Sequence, residues 1–234
     1  MKDEIDRLIT LLREEGIEGL ADYEQRLVNN AGNVDVFTDL VFESSAALMF
    51  SRHGFKVTIR EKPDLRVELD DEVIYAEVKH FREKEQDRID EKAMRESEDL
   101  VPVGNTVLLE GIAAWQQIAN VAACKASQYM ANAPNLLVIA SDSNCISGII
   151  LSTAVNIYDE KVSESNDLCL RRLNGFMLMD QWIWPGDRLE QLIGAGSRSV
   201  IFRPTACAEI PLSAKLTNAL ESIRNWQHIV CKAC

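Results

Sequence analysis

From Leu65 the chain alternates strictly. Leu65, Val67 and Leu69 are apolar, while Arg66, Glu68 and Asp70 between them are polar. That is the period of a strand with one face against a core. Asp70–Asp71 supplies turn chemistry, and Val73 to Lys79 is rich in β-branched and aromatic residues, so the pattern predicts a hairpin. Upstream the period lengthens. Leu40, Val41, Ala47, Leu48 and Phe50 predict a helix over Phe37–Arg52, stopped by Gly54 and followed by a strand to Ile59. Earlier still, Leu8, Leu11 and Leu12 form one apolar stripe, and Leu20, Tyr23, Leu27 and Val28 form another. These predict two short amphipathic helices, parted by Gly16 and Gly19, that pack on the core or on another subunit.

Downstream of the hairpin, Phe81 to Leu100 is densely charged, reading as a solvated helix or, alternatively, a lid over whatever the hairpin carries. Ile146 to Val162 has helical periodicity, Gly175–Asp180 and Ser199–Arg203 read as strands, and Leu212 to Ile229 predicts a closing helix. No repeat or low-complexity linker interrupts the chain. We therefore read one α/β domain over 1–234, with a helical extension at 1–33, a core at 36–141 and an elaboration at 142–234.

The hairpin also carries the candidate chemistry. Side chains two apart on a strand share a face, so Glu77 and Lys79 project together, and the short turn returns Asp64 towards them. Mg²⁺ prefers oxygen ligands and is often held by one or two carboxylates plus substrate phosphate. Asp64, Glu77 and the carbonyl of Val78 offer such oxygens, with Mn²⁺ able to substitute. The cation would polarise a phosphate and lower the pKa of a water, and Lys79 would orient that water or offset developing charge. Glu43 lies on an apolar helical stripe with Ala46, Ala47 and Phe50, where a carboxylate needs a partner. A metal, its water or Lys79 would serve. The plainer alternative is a surface hairpin with a Glu77–Lys79 salt bridge. Asp90–Glu91–Lys92 and Asp159–Glu160–Lys161 repeat the short acid-x-Lys pattern but lack the strand context, and read as solvated faces.

The order of a helix with Glu43, a strand after Gly54–Phe55, Pro63–Asp64 and then Glu77–Val78–Lys79 resembles the PD-(D/E)xK nuclease superfamily of restriction-endonuclease-like enzymes. The resemblance spans roughly residues 36 to 141. It implies a mixed four-stranded sheet flanked by helices, with Asn135–Ala140 as the fourth strand after a helix from about Thr106 to Ala131. It also implies that Glu43, Asp64 and Glu77 bind Mg²⁺ while Lys79 assists the attacking water. Some members carry a Gln and a basic residue near the metal, and here Lys125 and Gln128 are the candidates for contact with substrate. The implied function is a metal-dependent endonuclease acting on DNA more than RNA.

Composition adjusts this picture. At 47 % hydrophobic residues over 234 positions, the chain builds a sizeable core. It shows no continuous apolar span for a membrane and no apolar signal core at its start, which predicts a cytoplasmic protein. A formal charge of −12 sits awkwardly with a nucleic-acid partner, because phosphate binding rests on Lys and Arg. Local basic patches (Arg52, Lys56, Arg60 and Lys62, or Arg171–Arg172), a partner protein or a homodimer would answer that. The six cysteines read as reduced thiols, with Cys124 in the core. His228, Cys231, Cys234 and Cys207 have spacing compatible with zinc, or with a disulfide under oxidant. Trp182 and Trp184 are packing anchors or base-stacking surfaces. His80 points to the face opposite Lys79, and no P-loop or Rossmann glycine loop is present. The rival to a nuclease is a non-catalytic binding or assembly module in which the acids and lysine form an ion cluster. A metal hydrolase for a small phosphoester is a third reading.

Overall fold

The computed structural model describes residues 2–81, 114–141, 148–180 and 200–223. Helix α1 (Lys2–Glu14) buries Ile5, Leu8, Ile9 and Leu12, the 3–4 spacing of one helix face. The chain reverses through Gly16 and Gly19 into α2 (Leu20–Asn30), which buries Tyr23 and Leu27. Val28, expected on that stripe, is half exposed. Gly19 adopts φ 79°, and a Cβ there would stand 2.0 Å from the Ile59 carbonyl oxygen. Only glycine permits this approach. It lets Glu18 donate to Val57 O at 3.0 Å and accept from Ile59 N–H at 2.9 Å. Helix α3 (Val34–Arg52) starts three residues before the periodicity predicts, because the Asn33 side chain caps it by accepting from Val36 N–H. Every residue from Leu40 to Phe50 is buried, so this part of the helix is enclosed on all sides, while its first turn is exposed.

Six strands follow: β1 (Lys56–Ile59), β2 (Leu65–Leu69), β3 (Glu72–Phe81), β4 (Asn135–Ser141), β5 (Leu173–Asp180) and β6 (Val200–Pro204). They form one sheet in chain order. β1, β2 and β3 are antiparallel neighbours, β3, β4 and β5 are parallel, and β6 returns antiparallel to β5. The expected four-stranded sheet is therefore too small. The two strands assigned to an elaboration join the same sheet, covering an edge that β4, buried on both faces, would otherwise leave open. The β2–β3 hairpin turns on Asp70–Asp71, with Leu69 opposite Glu72 and Asp70 at φ 53°. Asp tolerates that left-handed conformation better than most side chains.

Helices cover both faces. Ile74, Ala76, Val78, Leu136, Val138 and Ala140 share one apolar core with α1, α2, α3 and α6 (Ala214–Ser222). Leu137, Ile139, Phe176 and Leu178 share the other with α4 (Ala114–Cys124) and α5 (Gly148–Glu164). The first 33 residues are thus built into the main core. Helix α4 ends seven residues short of the expected Ala131. A 3-10 turn at Ala126–Gln128 replaces the last turn, with Tyr129 extended behind it. Cys124 is exposed at that helix end, not in the core as its apolar neighbours suggested. All of residues 82–113, with the charged stretch, Asp90–Glu91–Lys92 and the expected helix start at Thr106, together with Trp182, Trp184, His228, Cys231 and Cys234, lie outside the described residues. Among the described residues, no helix is long and apolar enough to cross a membrane.

Candidate functional site

β2 and β3 part company at one point. Their last paired residues are Leu65 and Ala76, whereas β3 runs five residues further, paired only on its β4 side. Tyr75 N–H donates to Pro134 O, so odd-numbered residues of β3 turn their backbone groups to the β4 side, and even-numbered ones face the vacated side. Asp64, one residue before β2, fills the first vacated position: its Oδ2 accepts the Val78 N–H at 2.7 Å. In an extended strand a residue's C=O points to the same side as its N–H, so the Val78 carbonyl is directed to the Asp64 side as well. Asp64 and Glu77 stand level by register, and Lys79 follows on the Glu77 face, half-buried.

Two of the three acids carry cations. Glu77, 1 % exposed, receives Lys125 Nζ on Oε2 at 2.7 Å, and the same ammonium donates to Gln128 Oε1 at 3.0 Å. Lys125 keeps a helical bond from its N–H to Val121 O at 3.0 Å, and the 3-10 turn brings Gln128 back towards it, the Gln128 N–H donating to Lys125 O at 2.8 Å. Glu43, 8 % exposed, receives one terminal nitrogen of Arg26 on both oxygens, each at 2.8 Å. The other terminal nitrogen of Arg26 donates to Arg60 O at 3.0 Å. Glu77 therefore pairs with Lys125 rather than with Lys79, and Glu77 is interior, which excludes the plain surface hairpin. Glu43 pairs with Arg26, where a metal, its water or Lys79 was expected.

The acids press on one another. Burial, and then the Glu77 carboxylate, push Asp64 up to about 6, against the pull of the Val78 N–H and the Lys125 and Arg26 charges. Burial, and then Asp64, push Glu43 up to about 8, although Arg26 pulls it back. Among the described residues, Asp64 is thus the acid without a cation of its own.

Arg26 was missed in the sequence. Its signal was faint: it stands beside Tyr23 and Leu27 on the buried stripe of α2, where a charged residue needs a partner. Tyr23 fixes that helix by bonding Leu40 O and the Ser44 hydroxyl, and the Arg26 guanidinium lies 5.7 Å from the Tyr23 ring centroid. His80 faces the opposite core, stacked on Phe42 at 4.1 Å and with Nδ1 3.3 Å from Asp39. The first basic patch is partly spent on the connection between α1 and α2, Arg52 on Glu15 and Lys56 on Glu18. Arg60, 5.4 Å from the Tyr75 ring centroid, and exposed Lys62 remain on the connection leading into Asp64. Asp159, read as a solvated face, instead accepts the Ala206 N–H.

Comparison with protein-family models, curated proteins and solved structures gives no match to this chain. Among the described residues, no three His, Cys, Asp or Glu side chains converge on a single metal position. What the donors offer a divalent cation is smaller. Among the described residues, Glu77 Oε1 is buried and accepts no hydrogen bond and Asp64 has no cation of its own, while the Val78 carbonyl is directed to the Asp64 side. Two carboxylates and a carbonyl are a chemically sound set for Mg²⁺ or Mn²⁺.

Proposed function

We propose that this protein is a Mg²⁺-dependent nuclease, hydrolysing phosphodiester bonds in DNA more than RNA, on a restriction-endonuclease-like core formed by α3 and β1 to β4. The observation that carries the reading is the buried Glu77 Oε1, without a hydrogen-bond partner among the described residues, where β2 leaves β3 and beside Asp64. When bound, the cation supplies phosphate polarisation and a more acidic water. Asp64, Glu77 and the Val78 carbonyl hold it. Lys79 orients the attacking water and offsets charge on the phosphate. Lys125 keeps the second Glu77 oxygen in place, and Gln128 steadies Lys125. Arg60 and Lys62 offer phosphate contacts next to the acids. The charge of −12 leaves delivery of the substrate to a protein partner or a second copy of the chain.

The rival is a binding or assembly module that does not cut. Its supporting observation is that Arg26 and Lys125 already neutralise two of the three acids. Incubation with linear, circular and single-stranded DNA and with RNA, in Mg²⁺, Mn²⁺ or EDTA, separates the two. Cleavage abolished by EDTA supports the nuclease. Absence both of cleavage and of metal binding by calorimetry supports the module.

A further inference from the structure

We infer that the site takes a single divalent cation, held by Asp64 and Glu77, and that the Arg26 guanidinium stands where a second cation would contact Glu43. The inference rests on the metal-dependent reading above and goes beyond it, because it removes Glu43 from the ligand set. Both Glu43 oxygens are occupied by one Arg26 nitrogen at 2.8 Å. That nitrogen takes the inner lone pair of each oxygen, so a metal bound between the two oxygens would have to displace a charge-assisted bond.

Arg26 is held there by more than Glu43. Its other terminal nitrogen bonds Arg60 O, it lies over the Tyr23 ring, and Tyr23 is fastened to α3 at Leu40 and Ser44. Gly19, at the start of α2, locks that helix against Ile59. The guanidinium therefore belongs to the scaffold. It also lines a cavity of about 320 Å³ with Tyr23, Ile59, Arg60 and Glu61. Arg26 thus touches both this space and Glu43. A guanidinium cannot be deprotonated in practice and suits buried carboxylate pairing. It is a permanent +1 charge at a position where a second metal would supply +2, set beside acids that otherwise repel one another.

The test is Mn²⁺ titration of the full chain without nucleic acid, by calorimetry and by electron paramagnetic resonance, with circular dichroism to confirm folding. The wild type binds one Mn²⁺ per chain. Arg26→Met frees Glu43 and binds two. Arg26→Met combined with Glu43→Gln removes the pair together, leaving no buried charge unmatched, and returns the count to one with affinity within about tenfold of wild type. If Arg26→Met does not fold, the double variant decides alone: retained binding supports the inference and lost binding makes Glu43 a ligand. Two ions on the wild type, or one on folded Arg26→Met, overturns the inference and leaves the metal-dependent reading standing. No ion on the wild type overturns both.

Discussion

The Asp64 carboxylate accepts the Val78 amide N–H at 2.7 Å, extending by one side chain the ladder that β2 abandons at Leu65. A single bond thereby fixes the acid against the strand that carries Glu77 and Lys79. An amide oxygen makes the same bond without the charge. Asp64→Asn is therefore expected to fold, with a melting temperature at neutral pH equal to or above wild type, because a carboxylate repelled by its neighbours is removed. Cleavage is expected to fall by about a hundredfold or more. Thermal melts beside initial rates check both halves, and an active Asp64→Asn protein contradicts the ligand role.

The raised acids fix the sign of the pH dependence. Asp64 and Glu43 bind their protons more tightly in the folded chain than in the unfolded one. Their contribution to stability is complete below the ordinary carboxylate range. It is lost as pH rises through about 6 for Asp64 and about 8 for Glu43. Without metal, the melting temperature is expected to fall from pH 5 to pH 8 more steeply in wild type than in Asp64→Asn. Saturating Mg²⁺ is expected to flatten the Asp64 share, because a cation bound there would favour its ionised form. Melting curves across that range, with EDTA and with Mg²⁺, measure the difference.

Lys125 is the counter-charge of Glu77, and the proposed cation would replace it in part. Lys125→Met leaves Glu77 buried and unpaired, and is expected to destabilise the metal-free protein by about 3 kcal/mol. Mg²⁺ is expected to recover a larger share of stability in this variant than it adds to wild type. Denaturant titration with and without Mg²⁺ reads both quantities. Equal metal effects on the two proteins would place the cation away from Glu77.

Gly19 connects a backbone requirement to the site. Gly19→Ala forces a Cβ onto the Ile59 carbonyl in a left-handed conformation, and is expected to cost about 2 kcal/mol or more. The damage reaches Arg26 through the start of α2. Amide exchange in residues 20–30 of the variant, faster than in wild type while β3 and β4 stay protected, is the expected outcome.

The hairpin, α3 and the strand after Gly54 were legible because each has a clean period and a punctuating residue: Asp70–Asp71 between the strands, Gly54 after the helix. The short turn between the strands was enough to return Asp64 towards Glu77, while the register itself came from the structure. Sheet size was not legible. Gly175–Asp180 and Val200–Arg203 read as strands, but nothing local says which edge an apolar strand will join. The end of α4 was misread for a related reason. Ala126 and Tyr129 keep a helical spacing across the break, and both are buried, so the apolar pattern runs on while the backbone tightens into a 3-10 turn. Arg26 was hidden because its partner is 17 residues away on another helix, and pairing between helices leaves no periodic trace.

The central claim is metal-dependent phosphodiester hydrolysis with Lys79 acting on the water. Lys79 is half-buried and is not among the groups assigned to hold the cation, so Lys79→Ala is expected to fold and bind Mn²⁺ as wild type does. The deciding measurement is the rate of plasmid and oligonucleotide DNA cleavage in Mg²⁺ by the two proteins side by side. The account predicts cleavage by wild type that EDTA stops, and a rate about a hundredfold lower in Lys79→Ala with unchanged Mn²⁺ binding. Equal rates in the two proteins, or no cleavage of any nucleic acid by a wild type that also binds no metal, would contradict it.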